Sequence, residues 1–181
     1  IAKFKVSDQD NTYFLAGTAT PWTLPSNVIL SVNAKETYAK AKYQDYYVIM
    51  AEALMDSVLG EGNYEVVERV KGADLEYVKY EPLFDFQPNG EDFKGYFMTC
   101  DDYVTLTDGT GIVHTAYAYG EDDYRVCKKY GVTFYQNVDT TGHLNELAGP
   151  FKGLFVKDAD PVVLKYMEEN GSLFRALPFE H

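Results

Sequence analysis

Residues 109–126, GTGIVHTAYAYGEDDYRV, decide how this chain is read. Ile112–His114 is a strand-like run that carries a histidine at its end. Glu121–Tyr130 reads as a helix, stopped by Gly131 and opened by an acidic pair, Asp122 and Asp123. A lone histidine on a strand is ordinarily a packed or surface residue, but a strand leading through a glycine-containing loop to a helix N-terminus is a common place for a site. The acidic pair has two readings. Carboxylates in a first helical turn complement the helix dipole. One of them can instead receive an ammonium group through a charge-assisted hydrogen bond. The residues alone do not choose between these.

A second stretch, GTATPWTLPSN at residues 17–27, lies far upstream. Pro21 and Pro25 remove backbone donors and fix φ, so Thr20–Asn27 reads as a stiff loop. Its hydroxyls, Thr18, Thr20 and Thr23, either satisfy the loop's own backbone or place a water and an ester carbonyl. Asn27 caps the loop or touches a ligand.

Working outward, Ala2–Val6 and Thr12–Ala16 read as strands, and Val28–Val32 as a buried one. Tyr38–Tyr43 and Tyr46–Met50 form a hairpin across Gln44-Asp45. Ala51–Leu59 has helical spacing and ends at Gly60. Tyr64–Val70, Leu75–Tyr80, Tyr96–Cys100 and Tyr103–Leu106 follow as strands, with Pro88-Asn89-Gly90 marking a turn. Asp160-Pro161 opens a helix, with Asp160 as cap and Pro161 in the first position, running to about Asn170. Leu173–Leu177 closes as a strand. The expectation is an α+β fold: a barrel-like, mainly antiparallel sheet of many short strands with about three helices.

The bulk composition excludes several classes. With 181 residues, 46% of them hydrophobic, the chain suits one globular domain, residues 1–181. Aromatics make up 15%, with 16 Tyr and 11 Phe, which favours strands. The net charge of -12 argues against a domain that grips nucleic acid unaided. Cys100 and Cys127 are far apart and form no CxxC pair, so they read as buried free thiols of a reducing compartment rather than as zinc ligands. Asp8–Asn11 and Asp139–Glu146 lack calcium-loop spacing, and no metal or cofactor is expected. No GxSxG, GxGxxG, P-loop or HExxH occurs. No run is long or apolar enough to span a membrane, and IAKFKVSDQDN lacks a signal-peptide core. The first residue is Ile1 and the last is His181, so the chain reads as a piece of something larger.

TPWTLPSN at Thr20–Asn27 and GTGIVHTA at Gly109–Ala116, followed by GEDDYRV at Gly120–Val126, resemble the two signature segments of the editing domain inserted in the isoleucyl, valyl and leucyl tRNA synthetases. HTA, and PFKGLFVKDAD at Pro150–Asp160, resemble the isoleucyl member. The resemblance spans nearly the whole chain in the right order. It implies the fold of that editing domain and the hydrolysis of the ester joining valine to tRNA(Ile), carried out in the cytoplasm by a monomer whose tRNA is held mainly by the rest of the synthetase. It implies that Asp123 anchors the substrate α-amino group and that His114 limits side-chain size. Thr18 and Thr20 line the ester, with Asp123, as the catalytic set. Asn27, Thr23 and Trp22 complete the substrate-binding wall, Trp22 in a structural capacity. A positioned water attacks, with no side-chain nucleophile. The chain departs from the family pattern at Ala19, where threonine is usual, at Gly17, where tryptophan is usual, and at Tyr117, where proline is usual. Ala19 motivates the alternative, a catalytically weakened insertion that only docks the tRNA acceptor end.

Overall fold

Strand β3 (Asn27–Val32) is buried at all six positions, as expected of a central strand covered on both faces. It pairs in parallel with β7 (Met98–Cys100) and antiparallel with β8 (Val113–Ala116), giving a three-stranded sheet in the order β7-β3-β8. A five-stranded sheet has the order β1-β2-β5-β4-β6, built from Ala2–Lys5, Thr12–Ala16, Tyr46–Ala51, Thr37–Tyr43 and Tyr64–Lys71. The structure is a computed structural model and describes residues 1–175 except Ala19, Asn89, Asp108, Ala118 and Tyr119. Ala19 of the threonine-rich loop and the end of the Leu173–Leu177 strand therefore lie outside the described residues.

The layers follow from strand alternation. On the five-stranded sheet Phe14, Ala16, Tyr38, Ile49 and Ala51 face the main core, while Leu15, Ala39, Ala41, Val48 and Met50 face outward. The outward set is covered by the short helix α1 (Met55–Leu59) through Met55, Val58 and Leu59. The main core also takes Leu24, Leu30, Ile112 and residues Ala159, Val163 and Met167 of α3 (Val156–Asn170). The other face of the three-stranded sheet, with Val28, Ile29 and Phe97, packs on Val126, Cys127 and Tyr130 of α2 (Glu121–Tyr130).

The α+β class and the many short strands are as the sequence implies. Among the described residues the two sheets do not close into a full barrel; they are joined by a single-residue bridge between Gly17 and Val113 and by the Ala51 N–H donating to the Thr110 carbonyl at 2.9 Å. The hairpin across Gln44-Asp45 forms with Tyr43 opposite Tyr46, and Gln44 takes a left-handed φ of 55°. Tyr103–Leu106 forms no strand, and Leu75–Tyr80 supplies only isolated bridges at Lys79 and Tyr80 after a 3-10 turn. Residues 52–54 are 3-10, so the expected helix from Ala51 is α-helical only from Met55.

The last helix begins earlier than Asp160-Pro161 implies. Phe155 is its cap, and Pro161 falls inside it. Proline there leaves the Lys157 carbonyl without its intrahelical donor, at a residue that is itself exposed. Asp160 is thereby freed from capping α3 and bonds elsewhere. No described helix is long and apolar enough to cross a membrane.

Candidate active site

The two stretches singled out in the sequence meet beside β3. Pro21–Ser26 is a 3-10 turn with Pro21 in its first position, and it runs directly into Asn27. His114 lies on the neighbouring strand, opposite Leu30. A β-bulge between Asn27 and Ile29 shifts the register, so Asn27 stands opposite Ala116. Without the extra residue, Asn27 and Leu30 would point to opposite faces. With it, Asn27 joins Leu30, His114 and Ala116 on one face.

A single hydrogen-bonded chain follows. The Tyr80 hydroxyl donates to Asn27 Oδ1 at 2.5 Å. Asn27 Nδ2 donates to the Ile29 carbonyl at 3.0 Å and lies 2.8 Å from His114 Nδ1. Both amide protons of Asn27 are thus committed, and Nδ1 of His114 is an acceptor. The ring proton must sit on Nε2, which lies 2.9 Å from Thr23 Oγ1 and donates to it. Thr23 Oγ1 in turn donates to the Thr20 carbonyl at 2.8 Å, and the Thr23 N–H donates to the same oxygen at 3.0 Å. Asn27 is 1% exposed and His114 8% exposed, so the chain runs through dry protein. Burial pulls the His114 pKa down to about 4 against the opposing bond at Thr23, and the ring is neutral at pH 7. A neutral imidazole with both nitrogens engaged is not a free general base.

Outside this buried chain stands a ladder of hydroxyls. Thr20 Oγ1 lies 3.4 Å from Thr23 Oγ1 and 3.4 Å from Thr18 Oγ1, and the Thr20 N–H donates to Thr18 Oγ1 at 3.1 Å. Thr18 is half-buried and Thr20 exposed, so the ladder leads from His114 to solvent. Trp22 is half-buried, and its backbone N–H donates to Asp160 Oδ1 at 2.9 Å.

Asp123 belongs to the first turn of α2, with Glu121 and Asp122. Its Oδ2 accepts from the backbone N–H of Ala116 at 3.1 Å, which ties the helix start to the end of β8. Burial raises its pKa, partly offset by that bond, and the charge of Asp122 adds to the rise. Ala116 is two residues beyond His114 on the same face, a rise of about 7 Å. Asp122 is exposed and pairs with Arg125 Nη2 at 3.2 Å. The two acidic neighbours therefore separate: Asp123 turns to the strand, Asp122 to a surface ion pair.

The arrangement offers a half-buried carboxylate, a row of hydroxyls and a rigid neutral imidazole, set for positioning rather than for nucleophilic attack. Both thiols are buried, with pKa values pushed up to about 11 for Cys100 and about 12 for Cys127, so neither is a ready nucleophile. Among the described residues, no group of three or more His, Cys, Asp or Glu side chains is placed to hold a metal ion. A separate concavity of about 580 Å³, lined by Cys100, Asp101, Tyr103, Arg125 and Lys129, contains none of the threonines. Two residues of the arrangement escaped the sequence reading. Tyr80 read only as the end of a strand, and Asp160 looked like an ordinary cap.

No family model matches the chain. It is 48% identical over 179 residues to the isoleucine--tRNA ligase of Clostridium novyi and 43% identical over 179 residues to that of Bacillus thuringiensis, covering 99% of this chain and 17% of each relative. The chain thus spans about a sixth of the length of these relatives. Among solved structures, GlLeuRS-CP1 superposes with a TM-score of 0.76 at 16% identity, covering 98% of both chains. The editing domain of the P. knowlesi cytosolic leucyl-tRNA synthetase superposes with a TM-score of 0.66 at 14% identity, covering 94% of this chain and 93% of that one. Over 99% of its length the chain is similar to a segment of isoleucine--tRNA ligases, and superposition gives it the fold of the synthetase editing domains.

Proposed function

We propose that this chain hydrolyses the ester that joins a wrongly attached valine to the terminal adenosine of tRNA(Ile). The observation that supports this best is the threonine ladder meeting His114, with Asp123 bonded to Ala116, the last residue of the strand that carries His114. An aminoacyl ester carries an ammonium group, a side chain to be measured and a carbonyl to be attacked. Asp123 receives the ammonium, His114 limits the side chain, and Thr18 and Thr20 hold the ester and the attacking water. Thr23 links this wall to His114. Asn27 serves by fixing His114, since its own amide is spent inside the protein. Trp22 supports the loop through its backbone.

The chemistry is consistent with a site that lacks a nucleophile. An ester is already activated, and holding it against water supplies much of the rate. The selective need is the standard case of this very enzyme: valine and isoleucine differ by one methylene, for which one pocket discriminates by only about 1–3 kcal/mol, so a second pocket must remove the error. With a net charge of -12, the chain leaves the grip on tRNA to the rest of its parent enzyme, in the cytoplasm.

Deacylation of Val-tRNA(Ile) and Ile-tRNA(Ile) by the full-length enzyme tests this reading. Hydrolysis should favour the valyl ester and should be abolished by Asp123→Ala. Equal, slow loss of both esters would favour instead the reading motivated by Ala19, an insertion that only docks the acceptor end.

A further inference from the structure

We propose that Asp160 is a positioning residue for the threonine loop: a carboxylate from α3 that fixes the backbone of Trp22, and through it the hydroxyl of Thr23 against His114. The inference rests on the reading above for its catalytic consequence, but not for its geometry.

Asp160 is the residue that the local sequence assigns to capping its own helix. It does not do so, because α3 starts upstream at Val156. Its Oδ1 instead accepts from the Trp22 N–H at 2.9 Å, across 138 residues of sequence. Trp22 is the second residue of the 3-10 turn Pro21–Ser26, where N–H groups lack partners within the turn. The residue before that turn, Thr20, makes no side-chain cap to it. Asp160 therefore caps, from another element, the turn that carries the site's hydroxyls. A carboxylate is the strong acceptor for this purpose, since a charged acceptor makes a shorter and firmer bond than a neutral one. Beneath it Ala159 and Val163 of α3 share the main core with Leu24 of the turn, so the two elements are held together by packing and aimed by the bond.

The next residue after Trp22 is Thr23. Its hydroxyl meets His114 Nε2 at 2.9 Å and the Thr20 carbonyl at 2.8 Å. Any shift of the Trp22 peptide is carried into both contacts and into the outer hydroxyls of Thr20 and Thr18. Small misplacements of this kind cost rate without removing any group that touches substrate.

Two measurements test the proposal. Amide hydrogen exchange of Trp22 and Thr23 in this chain reads the clamp directly. Deacylation of Val-tRNA(Ile) by the full-length enzyme reads its consequence. Asp160→Ala should speed exchange at both amides and lower kcat about tenfold with little change in KM. Asp160→Asn, which keeps an oxygen acceptor in the same place, should restore both readouts most of the way. If Asp160→Ala does not fold, Asp160→Glu, whose acceptor is displaced by one methylene, should show the same two defects in milder form. Unchanged exchange in the alanine or glutamate variant would overturn the proposal, and so would an asparagine variant as impaired as alanine. If the unsubstituted enzyme fails to deacylate, the proposed function falls, while the exchange data still decide whether Asp160 clamps the loop.

Discussion

The side-chain amide nitrogen of Asn27 lies 2.8 Å from Nδ1 of His114, and this contact decides which ring nitrogen carries the proton. The Tyr80 hydroxyl and the Ile29 carbonyl hold the amide in that orientation, one at each end. Asn27→Asp replaces the donor with a second acceptor in a site that is 1% exposed. His114 must then bind a proton to satisfy it. The His114 pKa should rise from about 4 to above its ordinary 6.5, and folding stability should fall by about 1–3 kcal/mol from the repulsion at the Ile29 carbonyl. A nitrogen-15 NMR titration of His114 checks this. A histidine that still titrates near 4 in the variant would show that Asn27 does not control the ring.

The same histidine predicts an acid sensitivity. In the folded chain it stays neutral down to about pH 4, whereas an unfolded histidine takes up its proton near 6.5. Between those values the unfolded chain binds more protons, so stability is lost as pH falls through that window. The full loss is about 3 kcal/mol, at one pKa unit per 1.36 kcal/mol. Asp123 and Asp160, whose pKa values are raised by burial, act in the opposite sense wherever the folded chain holds the extra protons. Urea unfolding from pH 7 to pH 4 should show this slope, and His114→Gln should flatten it. Equal slopes in the two proteins would assign the acid sensitivity to other groups.

What the sequence made legible, and what it hid, divides along range. The hairpin, α2 and the two signature stretches are set by local alternation, glycine stops and helical spacing, and they stand where the residues imply. The face on which Asn27 lies is not local information. It depends on the bulge before Ile29, which one strand alone does not reveal. The same is true of Tyr80, whose hydroxyl reaches Asn27 from a segment that makes only isolated bridges. Asp160-Pro161 misled for a further reason: it satisfies every local rule for a helix start, but a proline is tolerated inside α3 where its orphaned carbonyl belongs to an exposed residue.

Asp123 has an observed contact and a proposed role that a substitution can separate. Its Oδ2 accepts from Ala116, and its charge is available to an ammonium. Asp123→Asn keeps an acceptor for Ala116 and removes the charge. The variant should unfold within about 1 kcal/mol of the unsubstituted chain, the scale of one neutral hydrogen bond, while Val-tRNA(Ile) deacylation by the full-length enzyme falls at least about 100-fold. Parallel losses of stability and activity would mean that the carboxylate is needed only to join β8 to α2.

Arg125 should matter for the fold and not for discrimination. Its two terminal nitrogens each lie 2.8 Å from an oxygen of Asp101, whose side chain is 6% exposed. That bidentate pair holds the Asp101 carboxyl below its usual range, helped by the Tyr103 N–H at 3.1 Å. Removing the guanidinium in Arg125→Ala leaves a buried carboxylate whose nearest remaining cation is Lys129, 3.8 Å away. Stability at pH 7 should fall, because charged hydrogen bonds are lost on one side only. The loss should shrink in the double variant with Asp101→Asn, where no charge is stranded. The ratio of valyl to isoleucyl ester hydrolysis should not move, because Arg125 contacts neither the threonine ladder nor His114 through any bond in the chain described above. A changed ratio with unchanged stability would place the Arg125 groove in substrate recognition and would redraw the site around it.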